Sequence, residues 1–302
     1  MKPRVELGRV ELRGLTKTYS DGTTALQPLH LDIEKGVLGV LGPNGAGKST
    51  LLSMIVLALE PTDGKREYFG LDDRSGNRAR IRSWIGFLPQ ELEIIPRVTG
   101  LELLTLTGQL RELPLSWREI QERARRLLEA VQLEDAAGRP ASTYSGGMLR
   151  RLGLAQALMH SPRLLVVDEP TAGLDPEERI RFRSIVTEIG DRIPVLVSTH
   201  IVEDIEATSS RLCIIEGGRK VFDGPPKNLF EQAAGRVWRL PNDVAPDGQI
   251  IGYRGDDGKR SMPLVLGVSR PHQNAHSVEP TLEEAYAVFL ADLGGQGTGS
   301  AT

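Results

Sequence analysis

A glycine-rich segment, GPNGAGKST at residues 42–50, has the residue types of a phosphate-binding loop. It matches G-x-x-x-x-G-K-[ST] and lies between a strand-like run, VLGVLG, and a helix-like run, STLLSMIVLAL, which is the context that such a loop requires. Glycines let the backbone N–H groups point at phosphate oxygens, Lys48 adds positive charge, and the Ser49 hydroxyl is placed to bind Mg²⁺. We therefore expect a nucleotide to be held by Gly42, Pro43, Asn44, Gly45, Ala46, Gly47, Lys48, Ser49 and Thr50.

Two adjacent acids end another apolar run, LLVVDEP. Asp168 stands at the carboxyl end of a strand, where the ligands of open α/β sheets bind, and its carboxylate can hold magnesium through the water shell of the ion. Glu169 can polarise an attacking water, a role typically worth about 10²–10⁴-fold in rate. The alternative is a pair of acids that cap the next turn, and the phosphate loop in the same chain makes it the weaker interpretation.

A second candidate anion site is YSGG, residues 144–147, which leads into a helix-like run. Bare backbone N–H groups at a helix N-terminus attract anions. Three further residues are weak signals when taken singly. Gln90 at the end of WIGFLPQ is ordinarily structural or solvated, His200 after PVLVST is ordinarily a satisfied surface histidine, and Tyr19 is ordinarily core packing. Their order and spacing relative to the phosphate loop favour a functional role for all three residues.

The elements that must position these residues belong to an α/β class. The runs at 164–168 and 194–199 are apolar at nearly every position, as in strands that are covered on both faces, and helices between them indicate a mostly parallel sheet. Nearer the start, Asp21-Gly22 is a favoured hairpin pair, and Leu29, Leu31 and Ile33 alternate with polar residues. An antiparallel β subdomain is therefore predicted at the N-terminal end.

Two regions differ from this sheet domain. Residues 91–159 contain helical spacing with arginines and glutamates on one face, so we interpret them as a helical insertion. After residue 235 short strands follow, with a turn at Asp257-Gly258 and a helix from Thr281, which stands at capping-box spacing from Glu284. The prediction is one domain over 1–235, a small α+β region over 236–302 of undetermined role, and a flexible tail from residue 294.

Composition excludes several classes of protein. With a net charge of −3 and 25% charged residues, the chain lacks the excess of positive charge that nucleic-acid binding usually leaves, so no nucleic-acid partner is expected. The single cysteine, Cys213, rules out an internal disulfide framework. The start lacks the apolar core of a signal peptide, and the apolar runs are too short for a membrane span. A soluble, cytoplasmic protein is expected.

The motifs together resemble the ATP-binding-cassette ATPases, the motor subunits of ABC transporters. Over roughly residues 5–230 they stand in that family's order: GPNGAGKST resembles its Walker A loop, LLVVDEP its Walker B strand and YSGGM its signature. AGLD at 172–175 resembles the D-loop, Gln90 the Q-loop glutamine, His200 the switch histidine, and Tyr19 the aromatic that stacks on adenine. The phosphate loop alone would also fit kinases and GTPases, but no N-K-x-D guanine motif is present.

The resemblance implies how the two anion sites are used. In this family two cassettes face each other head to tail, and ATP lies between the Walker A loop of one and the signature of the other. It implies that Ser145, Gly146 and Gly147 contact the γ-phosphate of a partner's ATP, and that Asp175 also belongs to the nucleotide-binding residues. Ser49, Gln90 and Asp168 are implied as magnesium ligands, and Glu169, His200, Lys48 and Gln90 as catalytic. Met148 departs from the usual glutamine and cannot offer the same hydrogen bonds.

The implied function is a Mg²⁺-dependent ATPase that forms a homodimer on ATP and drives a separate membrane permease from the inner face of the cell membrane. YSGGM and the segment VEPTLEEAYAVFL resemble the branch that pairs with small, ABC-2 type exporter permeases. The alternatives are a soluble cassette with a non-transport partner and a binding-only regulatory cassette. The first would be expected to carry two cassettes or a long coiled coil, and the second is disfavoured by the presence of both Glu169 and His200.

Overall fold

Parallel and antiparallel sheets form separate layers in the computed structural model, which describes residues 8–74, 76–93, 95–241, 249–254, 262–267 and 270–296. The chain divides into two compact units, Met1–Asp223 and Gly224–Thr302. The first unit contains the strands β1 (Val10–Thr18), β2 (Thr24–Ile33), β3 (Gly36–Leu41), β4 (Asp63–Tyr68), β5 (Leu71–Asp72), β6 (Ile85–Leu88), β7 (Leu164–Asp168), β8 (Pro194–Thr199) and β9 (Arg211–Glu216), and all of β10 (Arg219–Gly224) except its last residue. Strands β2-β1-β4-β5 form an antiparallel sheet, and the order of the second sheet is β10-β9-β3-β8-β7-β6.

The second sheet is parallel from β9 through β6 and lies between two hydrophobic cores. Alternate residues of a strand point to opposite faces. Leu164 and Val166 of β7 accordingly join the core shared with the antiparallel sheet, whereas Leu165 and Val167 join the core on the helical side. This double coverage explains why the strand sequences are apolar at nearly every position, and it confirms the predicted fold class.

The helices of the first unit are α1 (Lys48–Ile55), α2 (Arg78–Arg82), α3 (Gly100–Leu110), α4 (Trp117–Ala130), α5 (Gly146–Leu158), α6 (Pro176–Gly190) and α7 (Val202–Thr208). Helices α3, α4 and α5 lie within the range 91–159 of the predicted insertion, and capping boxes begin α3 at Thr99 and α4 at Ser116. Helix α1 ends earlier than its apolar run suggested, because Leu57 turns into the core in a left-handed conformation, with φ 59°.

The second unit contains α8 (Lys227–Ala233), β11 (Val237–Arg239), β12 (Gln249–Arg254), β13 (Met262–Leu266), β14 (His276–Ser277) and α9 (Leu282–Gln296). Its strands form one sheet in the order β12-β13-β11-β14. Thr281 and Glu284 exchange capping hydrogen bonds as predicted, since the Thr281 N–H donates to Glu284 Oε2 over 2.8 Å and the Glu284 N–H to Thr281 Oγ1 over 3.3 Å. The units divide between Asp223 and Gly224, before α8, whereas the sequence predicts a domain boundary after residue 235.

Two predictions for the second unit concern its C-terminal tail and one of its turns. The tail predicted from residue 294 is wrong at its start, since α9 continues through Gln296, and the remainder lies outside the described residues. The turn predicted at Asp257-Gly258 also lies outside them. Across the described ranges, no helix is long and apolar enough to cross a membrane.

Candidate active site

The glycine-rich loop connects β3 to α1 and depends on backbone conformations that suit glycine. Gly45 and Gly47 have φ of 79° and 104°, in the region that side chains disfavour. A Cβ on Gly42 would lie 2.3 Å from the carbonyl oxygen of Ile215, and one on Gly47 would lie 2.5 Å from that of Ala25. The loop therefore packs directly on neighbouring backbone, and the N–H groups at the start of α1 have no side-chain cap. They remain oriented for an anion.

Lys48 is the first residue of α1 and is nearly inaccessible, with 5% of its side chain exposed. Its Nζ donates to the carbonyl oxygens of Gly42 over 2.8 Å and Pro43 over 3.1 Å, so the loop fixes the position of the ammonium group. Nζ also lies 3.6 Å from Glu169 Oε1. A cation at this position can compensate the negative charge of terminal phosphates.

Glu169 follows β7 directly and is held from two sides. Its N–H donates to Ser198 O and Ser198 Oγ, each over 3.1 Å, and its Oε2 lies 3.1 Å from Nδ1 of His200. The residue has a φ of +43°, a conformation that is strained for a non-glycine residue and costs on the order of 1–3 kcal/mol. The surrounding structure thus holds a carboxylate between Lys48 and His200, as general-base chemistry would require.

Asp168 ends β7 next to Glu169, and its Oδ1 accepts a hydrogen bond from the Ser198 hydroxyl. Magnesium in phosphate sites is usually bound by one or two carboxylates or hydroxyls together with phosphate oxygens. Within the described residues, no group of three or more His, Cys, Asp or Glu side chains could hold a metal. A site that uses Asp168, Ser49 and Gln90 with nucleotide oxygens fits this donor set.

A cavity of about 530 Å³ opens beside these groups. It contains the glycine-rich loop, Gln90 from the segment after β6, and Glu169 and His200 from the ends of β7 and β8. Its lining consists of Ala25, Asn44, Gly45, Gly47, Lys48, Ser49, Thr50, Gln90, Glu169, Ala172 and His200. The structure therefore brings most of the residues singled out in the sequence to the carboxyl ends of parallel strands, where ligands of such sheets bind.

Tyr19 lies between β1 and β2 at the edge of this region. It is not part of the core, because 40% of the residue is exposed, and its hydroxyl lies 3.3 Å from Thr50 Oγ1. The Nζ of Lys17 lies over the ring, 5.4 Å from its centroid. An aromatic ring in this position beside the phosphate loop offers a π-surface on which a planar base can stack.

Four other residues singled out in the sequence do not line this cavity in the described chain: Ser145, Gly146, Gly147 and Asp175. Ser145 caps α5, since its Oγ accepts from the Met148 N–H over 3.2 Å, and Asp175 caps α6, since its Oδ1 accepts from the Glu178 N–H over 2.9 Å. The second candidate anion site thus begins a helix, as expected, and its residues do not line the cavity that contains the phosphate loop.

Sequence reasoning missed two residues that organise these parts. Ser198 holds both Asp168 and Glu169, and its hydroxyl inside the apolar run PVLVST was the available signal. Glu178 forms an ion pair with the buried Arg151, and nothing in the local sequence indicated that pair because the two residues come together only in the tertiary structure.

Comparisons with known proteins agree with this geometry. The family model described as ABC transporter matches residues 26–172. The daunorubicin/doxorubicin resistance ATP-binding protein DrrA of Streptomyces peucetius is 33% identical over 94% of this chain and 92% of its own length. The Nod factor export ATP-binding protein I of Rhizobium johnstonii is 39% identical over 75% of this chain and 72% of its own length.

A solved structure gives the same result for the fold. The dimeric, post-hydrolysis state of the ATP-binding cassette MJ0796, bound to ADP and Pi, superimposes with a TM-score of 0.65 at 28% identity. The match covers 72% of this chain and 98% of that cassette. These similarities, together with the glycine-rich loop and the acids of β7, show that the chain belongs to the ABC transporter family, as an ATP-binding cassette ATPase.

Proposed function

We propose that the chain is the motor subunit of an ABC exporter, which hydrolyses Mg²⁺-ATP between two head-to-tail copies and drives a separate membrane permease. The observation that carries the proposal is the separation of two half-sites. The phosphate loop, Glu169 and His200 share one cavity, whereas the signature segment, residues 145–147, begins α5 outside that cavity. A second copy would bring its own signature segment to the open side of the nucleotide.

Each residue of the cavity then has a role that its contacts support. Lys48, held by two loop carbonyls, compensates phosphate charge, and Glu169 orients and deprotonates water. His200, beside Glu169, contacts the γ-phosphate. Ser49, Asp168 and Gln90 would hold Mg²⁺, which when bound supplies positive charge to the phosphate oxygens. Tyr19 stacks on adenine.

The partner copy contributes Ser145, Gly146 and Gly147 at a positively polarised helix end, with Asp175 beside them at the interface. ATP hydrolysis is coupled to transport by differential binding. ATP binds the closed dimer more tightly than the open one and so stabilises it, and hydrolysis removes this stabilisation.

The direction of transport and the permease rest on the relatives. One is named for drug resistance and one for Nod factor export, and the former matches this chain across both units. A groove of about 540 Å³ beside α3 and α5, lined in part by Leu92, Leu110 and Gln156, is the surface where we expect the permease to bind, at the cytoplasmic face of the membrane. Gln90 lies on the segment that connects this groove with the nucleotide cavity.

Mixing two defective chains tests the shared site. Lys48→Ala removes the phosphate cation, and Ser145→Arg obstructs the signature segment. Each variant alone is expected to be inactive as an ATPase, whereas a mixture contains heterodimers with one complete site. Recovery of ATPase activity in the mixture is the expected result, and no recovery would contradict the shared site.

The permease is tested separately. Purification of the tagged full chain from membranes should recover an integral membrane protein in proportion to the chain, and Leu110→Glu should release it without changing ATP affinity. Recovery of soluble partners alone would favour the non-transport alternative.

A further inference from the structure

We infer that Glu178 is a positioning residue that joins the signature segment to the turn before α6, so that one chain presents both to its partner's ATP in a fixed arrangement. This inference rests on the proposed function, because it assigns Glu178 to the half of the site that acts on the other copy.

The side chain of Glu178 lies directly against the second glycine of the signature segment. A Cβ on Gly147 would stand 2.3 Å from Glu178 Oε2 and 2.6 Å from both Cγ and Cδ. These distances leave no space for a side chain at position 147 unless the Glu178 side chain is displaced. The N-terminal turn of α5 therefore rests on the carboxylate of α6.

Arg151 fixes the same carboxylate one turn further along α5. Its Nε and Nη2 each donate to a different oxygen of Glu178 over 3.2 Å, which is a bidentate pair. Its Nη1 donates to the carbonyl oxygens of Val131 and Gln132 over 2.8 and 2.7 Å, and only 4% of the Arg151 side chain is exposed. The guanidinium thus ties α5, the end of α4 and α6 together, and among its acceptors in the described chain Glu178 provides the negative charge.

The backbone of Glu178 takes part in the turn before α6. Its N–H donates to Asp175 Oδ1 over 2.9 Å, which fixes the cap of α6. Leu174, in the same turn, lies beside Gly146, where a Cβ would stand 4.0 Å from Leu174 Cδ2. Gly147 therefore lies directly against Glu178 and Gly146 lies near Leu174, so a displacement of either element would disturb the other.

The adjacent acid provides a matched control. Glu177 also lies in the first turn of α6, and Arg181 pairs with both acids, but 76% of the Glu177 side chain is exposed whereas 15% of the Glu178 side chain is exposed. Glu177→Ala and Glu178→Ala each remove a carboxylate near the same helix end. A loss specific to Glu178 therefore reports the contact with α5 and not the helix dipole.

The test uses full-length chains and the mixing assay with Lys48→Ala. Glu178→Ala alone should lower ATPase activity by about tenfold to a hundredfold, the loss expected when a group near the chemistry is displaced by about 1 Å. Its affinity for a fluorescent ATP analogue as an isolated chain should stay unchanged. Mixing it with Lys48→Ala should restore activity to the level of the Ser145→Arg mixture, because the complete heterodimer site uses the intact Glu178 of the other chain. Glu177→Ala should retain the activity of the unchanged chain.

Glu178→Gln keeps the side-chain volume and one acceptor for Arg151, and it addresses the chance that the alanine variant folds poorly. It should retain more activity than Glu178→Ala. If the Ser145→Arg mixture recovers activity and neither Glu178 variant mixture does, Glu178 serves its own chain's site and the inference is wrong. If the Ser145→Arg mixture also fails, it is the shared site of the proposed function that is wrong.

Discussion

Oε2 of Glu169 lies 3.1 Å from Nδ1 of His200, while Oε1 of the same carboxylate lies 3.6 Å from Nζ of Lys48. Glu169 and His200 follow the ends of β7 and β8, and Lys48 begins α1 after the loop that follows β3. These three strands are adjacent in the order β3-β8-β7. The carboxylate is therefore fixed in orientation by the sheet itself, and a substitution at position 169 can change its chemistry without changing its place.

Glu169→Gln preserves the shape of this side chain but removes its capacity to accept a proton from water. We expect ATP affinity to be retained and hydrolysis to fall by about 10²–10⁴-fold. The ATP-bound dimer should accumulate, because hydrolysis, the step that allows the closed dimer to open, is blocked. Sedimentation of the variant with and without Mg²⁺-ATP measures this result.

Glu206→Gln is the matched control, since it makes the same substitution at an exposed position of α7. It should hydrolyse ATP at the rate of the unchanged chain. If Glu169→Gln sediments as a monomer both with and without Mg²⁺-ATP, the proposal that ATP binding drives dimerisation is wrong.

Tyr19→Ala is expected to raise the dissociation constant for ATP about tenfold, equivalent to about 1.4 kcal/mol, because a stacked aromatic face is lost. Tyr19→Phe keeps the ring and should change the constant by less than about twofold, since the contact of its hydroxyl with Thr50 is solvent-exposed. Calorimetric titration with a non-hydrolysable analogue separates the two variants. Equal affinities for Tyr19→Ala and the unchanged chain would show that adenine binds elsewhere.

The parts of the site that could be predicted from the sequence are those encoded over short distances. The glycine-rich loop needs its own glycines for positive φ, and Lys48 follows them on the first turn of the helix, so one short segment carries the whole signal. The acids of β7 were predictable for the same reason, because an apolar strand and its terminal carboxylates are contiguous.

The relations that could not be predicted join residues distant in the sequence. Arg151 and Glu178 are each unremarkable surface-type residues locally, and their burial follows only from the packing of α5 against α6. Ser198 reaches Asp168 across two adjacent strands, so its role depends on the order of the sheet. The end of α1 was also missed, since an apolar run does not reveal where the chain turns into the core at Leu57.

Met148 stands where the family resemblance leads us to expect glutamine, and its partly buried side chain packs against the core on the helical side of the parallel sheet. We therefore assign it a packing role. Met148→Gln should lower the free energy of unfolding by about 1 kcal/mol, because a polar amide replaces an apolar contact. ATPase activity should stay within about twofold, since the cap to Ser145 uses the backbone N–H of residue 148.

Urea unfolding and steady-state hydrolysis measure both quantities for Met148→Gln, with Met148→Leu as the control that keeps apolar volume. A manyfold gain in ATPase activity on Met148→Gln would instead show that a side chain at this position reaches the nucleotide.

His160 makes the stability of the chain depend on pH. Burial and then the positive charge of Arg111 lower its pKa from 6.5 to about 4, although its Nε2 lies 3.0 Å from the carbonyl oxygen of Ile85. Between pH 6.5 and about pH 4, His160 is therefore protonated in the unfolded chain but neutral in the folded chain. This residue lowers the free energy of unfolding as the pH falls through that window. Between pH 7 and 4.5, His160→Gln should gain about 1.5 kcal/mol relative to the unchanged chain, after allowance for partial solvent screening. Urea unfolding at several pH values measures the difference. Arg111→Gln should raise the folded-state pKa of His160 and so narrow the window from its acid end, and a difference that stays constant with pH would refute the assignment.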